Sequence, residues 1–198
     1  MELKTFGKWS MQGIKVNDPG LADFIALKPV FVPRTGAHYA KQKFYKSKTP
    51  IVERLINKLM VAGHKGKKHR ITSYTLSGKA MRCYDIVKRA LSAIEEKTKQ
   101  NPIEVFVRAV ENAAPREEIV SIEYGGARYP KAVECAPQRR VDVALRYMVQ
   151  GAYSKAFNSK RSITETLADE ILNAANLNSA SNAISRKLDI ERQADTSR

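Results

Sequence analysis

The architecture turns on one stretch, "IVSIEYGGARYPKAVECAPQRRVDVALRYMVQGA", residues 119–152. Ile119 to Tyr124 alternates apolar and polar side chains, and Ala127 to Cys135 alternates back. Between them lies Gly125-Gly126, two residues that both tolerate positive φ, so the segment predicts a β-hairpin over 118–136. With the glycines as a two-residue loop, Tyr124 opposes Ala127, Ile122 opposes Tyr129, and Glu123 opposes Arg128. One face then carries Val120, Ile122, Tyr124, Ala127, Tyr129, Val133 and Cys135, interrupted by Lys131. A two-stranded ribbon is marginal in water, so it must pack on a helix or on a partner. Its tip (Tyr124, Gly125, Gly126, Arg128, Tyr129) sets aromatic and cationic groups where a hairpin is most exposed.

Pro137 restarts the chain as helix, with Val141, Ala144, Leu145, Met148 and Ala152 on its apolar face. Arg139 and Arg146 share a side and Arg140 extends the cationic surface, suited to anchor phosphates where the ribbon leaves the body. Helix signals continue in both directions. Thr49-Pro50 reads as a capping threonine plus a first-turn proline, ahead of an Ile51, Val52, Leu55, Ile56, Leu59, Met60 stripe that Gly63 ends. A long helix runs from Ser77 or Gly78 to about Lys99, with Met81, Tyr84, Val87, Leu91 and Ile94 inward. Asn101-Pro102 opens the next, with Ile103, Phe106, Val107, Val110 and Ala113 inward, and Pro115 closes it. Two more follow, Ile163 to Ala175 behind a Ser162 cap and Ala180 to Ala194. The fold class is therefore mainly α: a bundle of about six helices with a protruding two-stranded antiparallel ribbon.

Residues 1–48 carry no sustained period and contain Pro19, Pro29 and Pro33, which predicts an extended basic N-terminal arm, ordered only once a polyanion neutralises it. Residues 49–198 form the single helical domain. Charge is the strongest compositional signal. The formal net charge is +15, an excess that repels itself in the folded state and points to an anionic partner. It is local. Lys28, Arg34, Lys41, Lys43, Lys46 and Lys48 occur with no acid among them, as do Lys65, Lys67, Lys68, Arg70, Lys79 and Arg82. Residues 162–198 hold four cations against six acids. In "PRTGAHYAKQKFYKSK", residues 33–48, cations interleave with His38, Tyr39, Phe44 and Tyr45. That mixture suits nucleic acid, cations tracking the backbone and aromatics stacking on bases.

Several functions find no support. No apolar run approaches the ~18 residues of a membrane span, and Met1 to Ser10 lacks an apolar signal core, so a cytoplasmic setting is expected. Cys83 and Cys135 sit in no paired pattern and read as buried, inert thiols. His64 and His69 lack the further ligands a metal needs. Gly78-Lys79-Ala80 lacks the hydroxyl residue of a nucleotide-binding loop. Glu104, Glu111 and Asp142 fall beside cations and read as surface pairs, and no nucleophile, base and oxyanion constellation emerges. No enzyme activity, cofactor or metal is expected.

Four segments together resemble a known family. "GGARYPKAVECAPQRRVDVALRYMVQGA" (125–152) resembles the hallmark segment of the seventh protein of the small ribosomal subunit, where a glycine-containing ribbon tip precedes Pro-x-Arg-Arg and an alanine-rich helix. "NPIEVFVRAVENAAPREEI" (101–119), "IVERLINKLMVAGHKGKK" (51–68) and "AFNSKRSITETLADEILNAA" (156–175) resemble its other helices in the same order. The likeness covers about 49–198, and the arm and the tail "SNAISRKLDIERQADTSR" resemble the archaeal and eukaryotic branch, the Gly-Gly tip the archaeal one. The resemblance implies a six-helix body with an extended ribbon. It implies binding to the 3′ major domain of small-subunit ribosomal RNA, nucleation of head assembly, and a place near the exit-site transfer RNA and the messenger path, among other small-subunit proteins. The residues expected at RNA are Lys41, Lys43, Lys46, Lys48, Lys65, Lys67, Lys68, Arg70, Lys79, Arg82, Arg116, Arg128, Lys131, Arg139, Arg140 and Arg146. The alternative is a DNA- or RNA-binding regulator outside the ribosome, although the cations concentrate in loops and an arm instead of on one recognition helix.

Overall fold

The computed structural model of the protein describes residues 3–65, 72–73 and 76–198. Among these the chain order is α1 (Pro19–Ala22), α2 (Ile51–Leu59), α3 (Ala80–Thr98), α4 (Pro102–Ala113), β1 (Glu117–Tyr124), β2 (Ala127–Glu134), α5 (Pro137–Ala156), α6 (Ile163–Ala175) and α7 (Asn182–Asp195). Short 3-10 turns span His38–Lys41 and Tyr45–Lys48. Since α1 is a single turn, the body is built from six helices and one ribbon, as the periodicity required.

The helix starts follow local chemistry. The Asn101 side chain accepts from the Ile103 N–H at 3.1 Å, with Pro102 in the first turn. Ser162 accepts from the Glu165 N–H at 3.2 Å, and Ser181 from the Ala183 N–H at 3.2 Å. Thr49 is not a cap: Pro50 occupies that position and makes no side-chain bond, so the helix begins one residue later than the Thr-Pro pair suggested. Likewise α3 begins at Ala80, behind a turn containing Gly78, and α7 at Asn182, because Ser181 is the better cap.

The core is helical. α6 packs against α3, α4 and α5, and its Leu167, Ala168, Ile171 and Ala174 are fully buried. Every expected inward residue of α4 and α5 is buried, as are Ile51, Val52, Leu55, Ile56 and Leu59 of α2. Met81 of α3 departs from expectation: it is 55% exposed, and its sulfur instead receives the Arg34 Nη1 at 3.3 Å. Cys83 and Cys135 are both buried and unpaired, and burial pushes each thiol up to about 11, so neither is a nucleophile at neutral pH.

One buried carboxylate joins three helices. Glu170, fully buried on α6, accepts from Lys155 Nζ at 2.7 Å, from the Ser181 hydroxyl at 2.8 Å and from the Ala183 N–H at 3.2 Å. Glycine at 151 lets α5 approach this knot, since a Cβ there would lie 2.6 Å from Asn182 Cβ and 3.0 Å from Glu170 Oε1.

The N-terminal segment differs from the arm expected. It is irregular, but Phe6, Trp9, Met11, Leu21 and Ile25 are buried in the helical core. Phe6 meets Tyr84 edge-on at 4.7 Å, and Trp9 Nε1 donates to Glu95 Oε2 at 3.0 Å. Apolar side chains spaced too irregularly for a helix or strand still bury, each on its own, and burial of large aromatics outweighs the cost of ordering the strap. The single tryptophan makes this measurable. Trp9 emission should be blue-shifted in the RNA-free protein and move red only on global unfolding; a red-shifted native spectrum would show the segment undocked.

Candidate nucleic-acid interface

The ribbon pairs in the register read from its alternation: Tyr124 with Ala127, Glu123 with Arg128, Ile122 with Tyr129, out to Glu117 with Glu134. Gly125 and Gly126 both take positive φ, at 55° and 85°, which a two-residue hairpin loop demands. Beyond Ile122 both strands are exposed. Tyr124 is 69% exposed and Tyr129 57%, while Arg128 pairs with Glu123 at 3.5 Å.

Its root is held firmly. The Ala132 N–H donates to the Ser197 carbonyl at 3.3 Å, the Arg116 N–H to Glu191 at 3.0 Å, and Arg198 pairs with Glu117 at 2.8 Å. From the α5 side, Arg139 grips Glu118 through two nitrogens, at 2.5 and 2.6 Å. The hydrogen bond to Glu118 raises the Arg139 guanidinium above its ordinary value. Arg140 donates to the Pro115 carbonyl at 3.1 Å and to Asp18 at 2.8 Å. Burial pushes the Asp18 carboxyl up, but the Arg140 hydrogen bond and the Gly20 N–H outweigh it and hold the group below its ordinary value. The Pro-x-Arg-Arg run thus acts within the chain, each arginine tying the start of α5 to the ribbon root or to the N-terminal strap.

The remaining cations divide by partner. Lys46 pairs with Asp142 at 2.7 Å, and so does the almost fully buried Arg54, at 3.2 Å. Asp142 is therefore no surface pair, as its spacing beside cations suggested, but a half-buried bridge between α2, α5 and the basic segment. Lys41, Lys43 and Lys48 are exposed, as are Phe44 and Tyr45, and Lys48 lies 5.4 Å from the Tyr45 ring centre. Lys79 and Arg82 are exposed at the start of α3, and Lys131 on the ribbon. Lys67, Lys68 and Arg70 lie outside the described residues. Lys65 and Arg146, far apart in sequence, line one cleft of about 560 Å³ together with His64, Tyr147 and Lys58. Lys58 had no signal of its own, because it sits in the polar half of an ordinary amphipathic helix. Burial lowers its ammonium below the ordinary value, with Asp142 opposing and Lys46 and Arg146 adding. Arg116 and Arg140 line a broader groove of about 1050 Å³ at the ribbon root, shared with Arg108, Lys187 and several acids. Among the described residues no group of three or more histidine, cysteine or acidic side chains could hold a metal, and no helix is long and apolar enough to cross a membrane.

A helical body with a clamped ribbon and acid-poor cationic faces defines a structural protein built against a polyanion. Comparison with known proteins makes this specific. The profile of the family "Ribosomal protein S7p/S5e" matches residues 22–198. The chain is 53% identical over 198 residues to the small ribosomal subunit protein uS7 of Nanoarchaeum equitans, covering all of both chains. It is 47% identical over 197 residues to uS7 of Archaeoglobus fulgidus, covering all of this chain and 96% of that one. The chain belongs to the ribosomal protein S7p/S5e family; it is a structural, non-enzymatic protein of the small subunit of the cytoplasmic ribosome.

The Asp142 bridge has a pH signature. Burial pushes the Asp142 carboxyl up, but Lys46 and Arg54 outweigh it and leave the group below its ordinary value. A carboxyl depressed in the folded state stabilises above its unfolded value of ~3.9, and that contribution is lost as pH falls through the folded value. Asp142→Asn should lose roughly 3 kcal/mol near pH 7, largely from leaving Arg54 buried and unpaired. In chemical denaturation the two proteins should converge as pH drops below ~4; a gap independent of pH would remove the ion pair as its cause.

Proposed function

We propose that the protein binds the 3′ major domain of small-subunit ribosomal RNA and nucleates assembly of the head, with its ribbon near the exit-site transfer RNA and the messenger path. The observation that carries this is the distribution of unpaired cations. Exposed Lys41, Lys43, Lys48, Lys79, Arg82, Lys131 and Arg146 form no ion pair among the described residues, although the chain holds 20 acids. Several acids are engaged elsewhere, among them Asp18, Glu118, Asp142 and Glu170, in bridges that hold the fold. Free cations on a rigid surface neutralise phosphates, and A-form RNA is recognised by shape, backbone and splayed bases. On this reading residues 49–198 form the RNA-binding body and residues 1–48 cross it, docked at first and basic in their second half. Lys46, Arg139 and Arg140 serve RNA indirectly, by setting the segments that carry the free cations. The ribbon supplies Tyr124 and Tyr129 for stacking and Arg128 for charge at a site too narrow for a helix.

Equilibrium binding to a 3′ major domain transcript, against a size-matched scrambled RNA across a salt series, tests the reading. If roughly 6–10 phosphates are neutralised, affinity should fall by up to about 10³–10⁵ between 50 and 200 mM salt, less for RNA than for duplex DNA. The preference for the true domain should survive; equal affinities that vanish together would leave only a basic protein. Replacing residues 124–129 with a short glycine-serine turn should leave circular dichroism and domain binding unchanged, because the tip adds no core, and should weaken contact with transfer or messenger RNA. A collapse of helicity would mean that the tip belongs to the folding unit.

A further inference from the structure

Glu53 is a carboxylate in an unusual place. It lies on α2, is only 3% exposed, and among the described residues forms no ion pair. Thr35 donates both its N–H and its hydroxyl to Oε1, at 2.8 and 2.7 Å. Oε2 has no hydrogen-bond partner among the described residues. A buried acceptor without a donor is costly, so the site has a half-made polar contact built into it. Glu53 also lines a cavity of about 290 Å³ between α2, the start of α3 and the 33–39 turn. Its other walls include Arg34, Tyr39, Asn57, Met60 and Tyr84. The volume is at the small end for ligand sites, enough for one flat ring. Ala37 in the covering turn has φ at 66°, a conformation that non-glycine residues adopt at a cost and that marks segments held for a purpose.

We propose that this cavity reads one unpaired guanine of the bound RNA. Guanine offers two adjacent donors, N1–H and the N2 amino group, next to the O6 acceptor. Glu53 Oε2 accepts from the donor edge, the Asn57 amide donates to O6, and the tyrosines and Met60 contribute flat apolar walls. Arg34, whose guanidinium meets a thioether sulfur, is placed for the attached phosphate. Lys41 and Lys43 follow within a few residues of Tyr39, so a strand tracked by the basic segment passes the cavity mouth. The inference rests on the RNA-binding reading above and adds base specificity to a surface that otherwise contacts backbone.

Kethoxal, which modifies guanine at N1 and N2, tests it on the full chain bound to the 3′ major domain transcript, with hydroxyl-radical cleavage reporting the backbone footprint in parallel. The protein should protect at least one unpaired guanine. Glu53→Gln keeps the size and the acceptor for Thr35 but turns the other atom into a donor. It should restore reactivity at one guanine and weaken binding roughly ten-fold, with the backbone footprint intact. Tyr39→Ala, at a half-exposed position outside the core, should unmask the same guanine, and it decides the matter alone if Glu53→Gln does not fold. An identical kethoxal pattern for the wild type and for every variant that folds, under an intact backbone footprint, would overturn the guanine site and leave RNA binding standing. Absence of any footprint with the wild-type protein would overturn the RNA-binding reading itself.

Discussion

Distant parts of the fold are tied together at Asp142. Its carboxylate takes Arg54 from α2 and Lys46 from the basic segment, while Arg54 also donates to the Phe24 carbonyl at 2.8 Å. Four parts of the chain, two helices, the strap and the basic segment, therefore converge on one partly buried bridge. Removing a partner from such a bridge costs more than the bridge itself contributes, because the guanidinium left behind has lost its water as well. In a chain of net charge +15 that constraint sets a pattern. Acids are scarce near the basic segments, and Asp142 holds Lys46 and Arg54 while the exposed lysines beside them stay unopposed.

Glu170 repeats the arrangement at the opposite end of the bundle, fastening α5 and α7 to α6. Arg139 and Arg140 repeat it at the ribbon root with the signs reversed, two cations seeking out Glu118, Asp18 and a carbonyl. Internal ion pairs of this kind hold the fold without consuming the exposed lysines.

Much of this was legible in the sequence. The ribbon and its register followed from the period-two alternation around Gly125-Gly126, since a shift by one residue would invert every face. The helices followed from apolar stripes and from caps at Asn101 and Ser162. What failed to show had a common cause: it depended on contacts between distant segments. The docking of Phe6 and Trp9 follows no period. The burial of Glu53 and Arg54 is invisible in a stripe that reads as an ordinary amphipathic helix, because their partners, Thr35 for the one and Phe24 and Asp142 for the other, lie far off in the chain. The charge pattern pointed to the right ligand class but could not separate Arg140, spent within the fold, from Arg146, which faces a cleft. Sorting them needs the positions of the acids in space.

The clamped root of the ribbon has a mechanical meaning. Eight residues per strand at ~3.4 Å each make a lever of about 27 Å. An angular play of only about 5° at its base would sweep the tip through roughly 2 Å, the difference between a stacked ring and a missed one. Arg139 on Glu118, Arg140 on Pro115, and Arg198 on Glu117 brace the lever from two sides at its fulcrum. Pointing accuracy at Tyr124 and Tyr129 is thus set at the far end of the ribbon, by the residues that clamp its root.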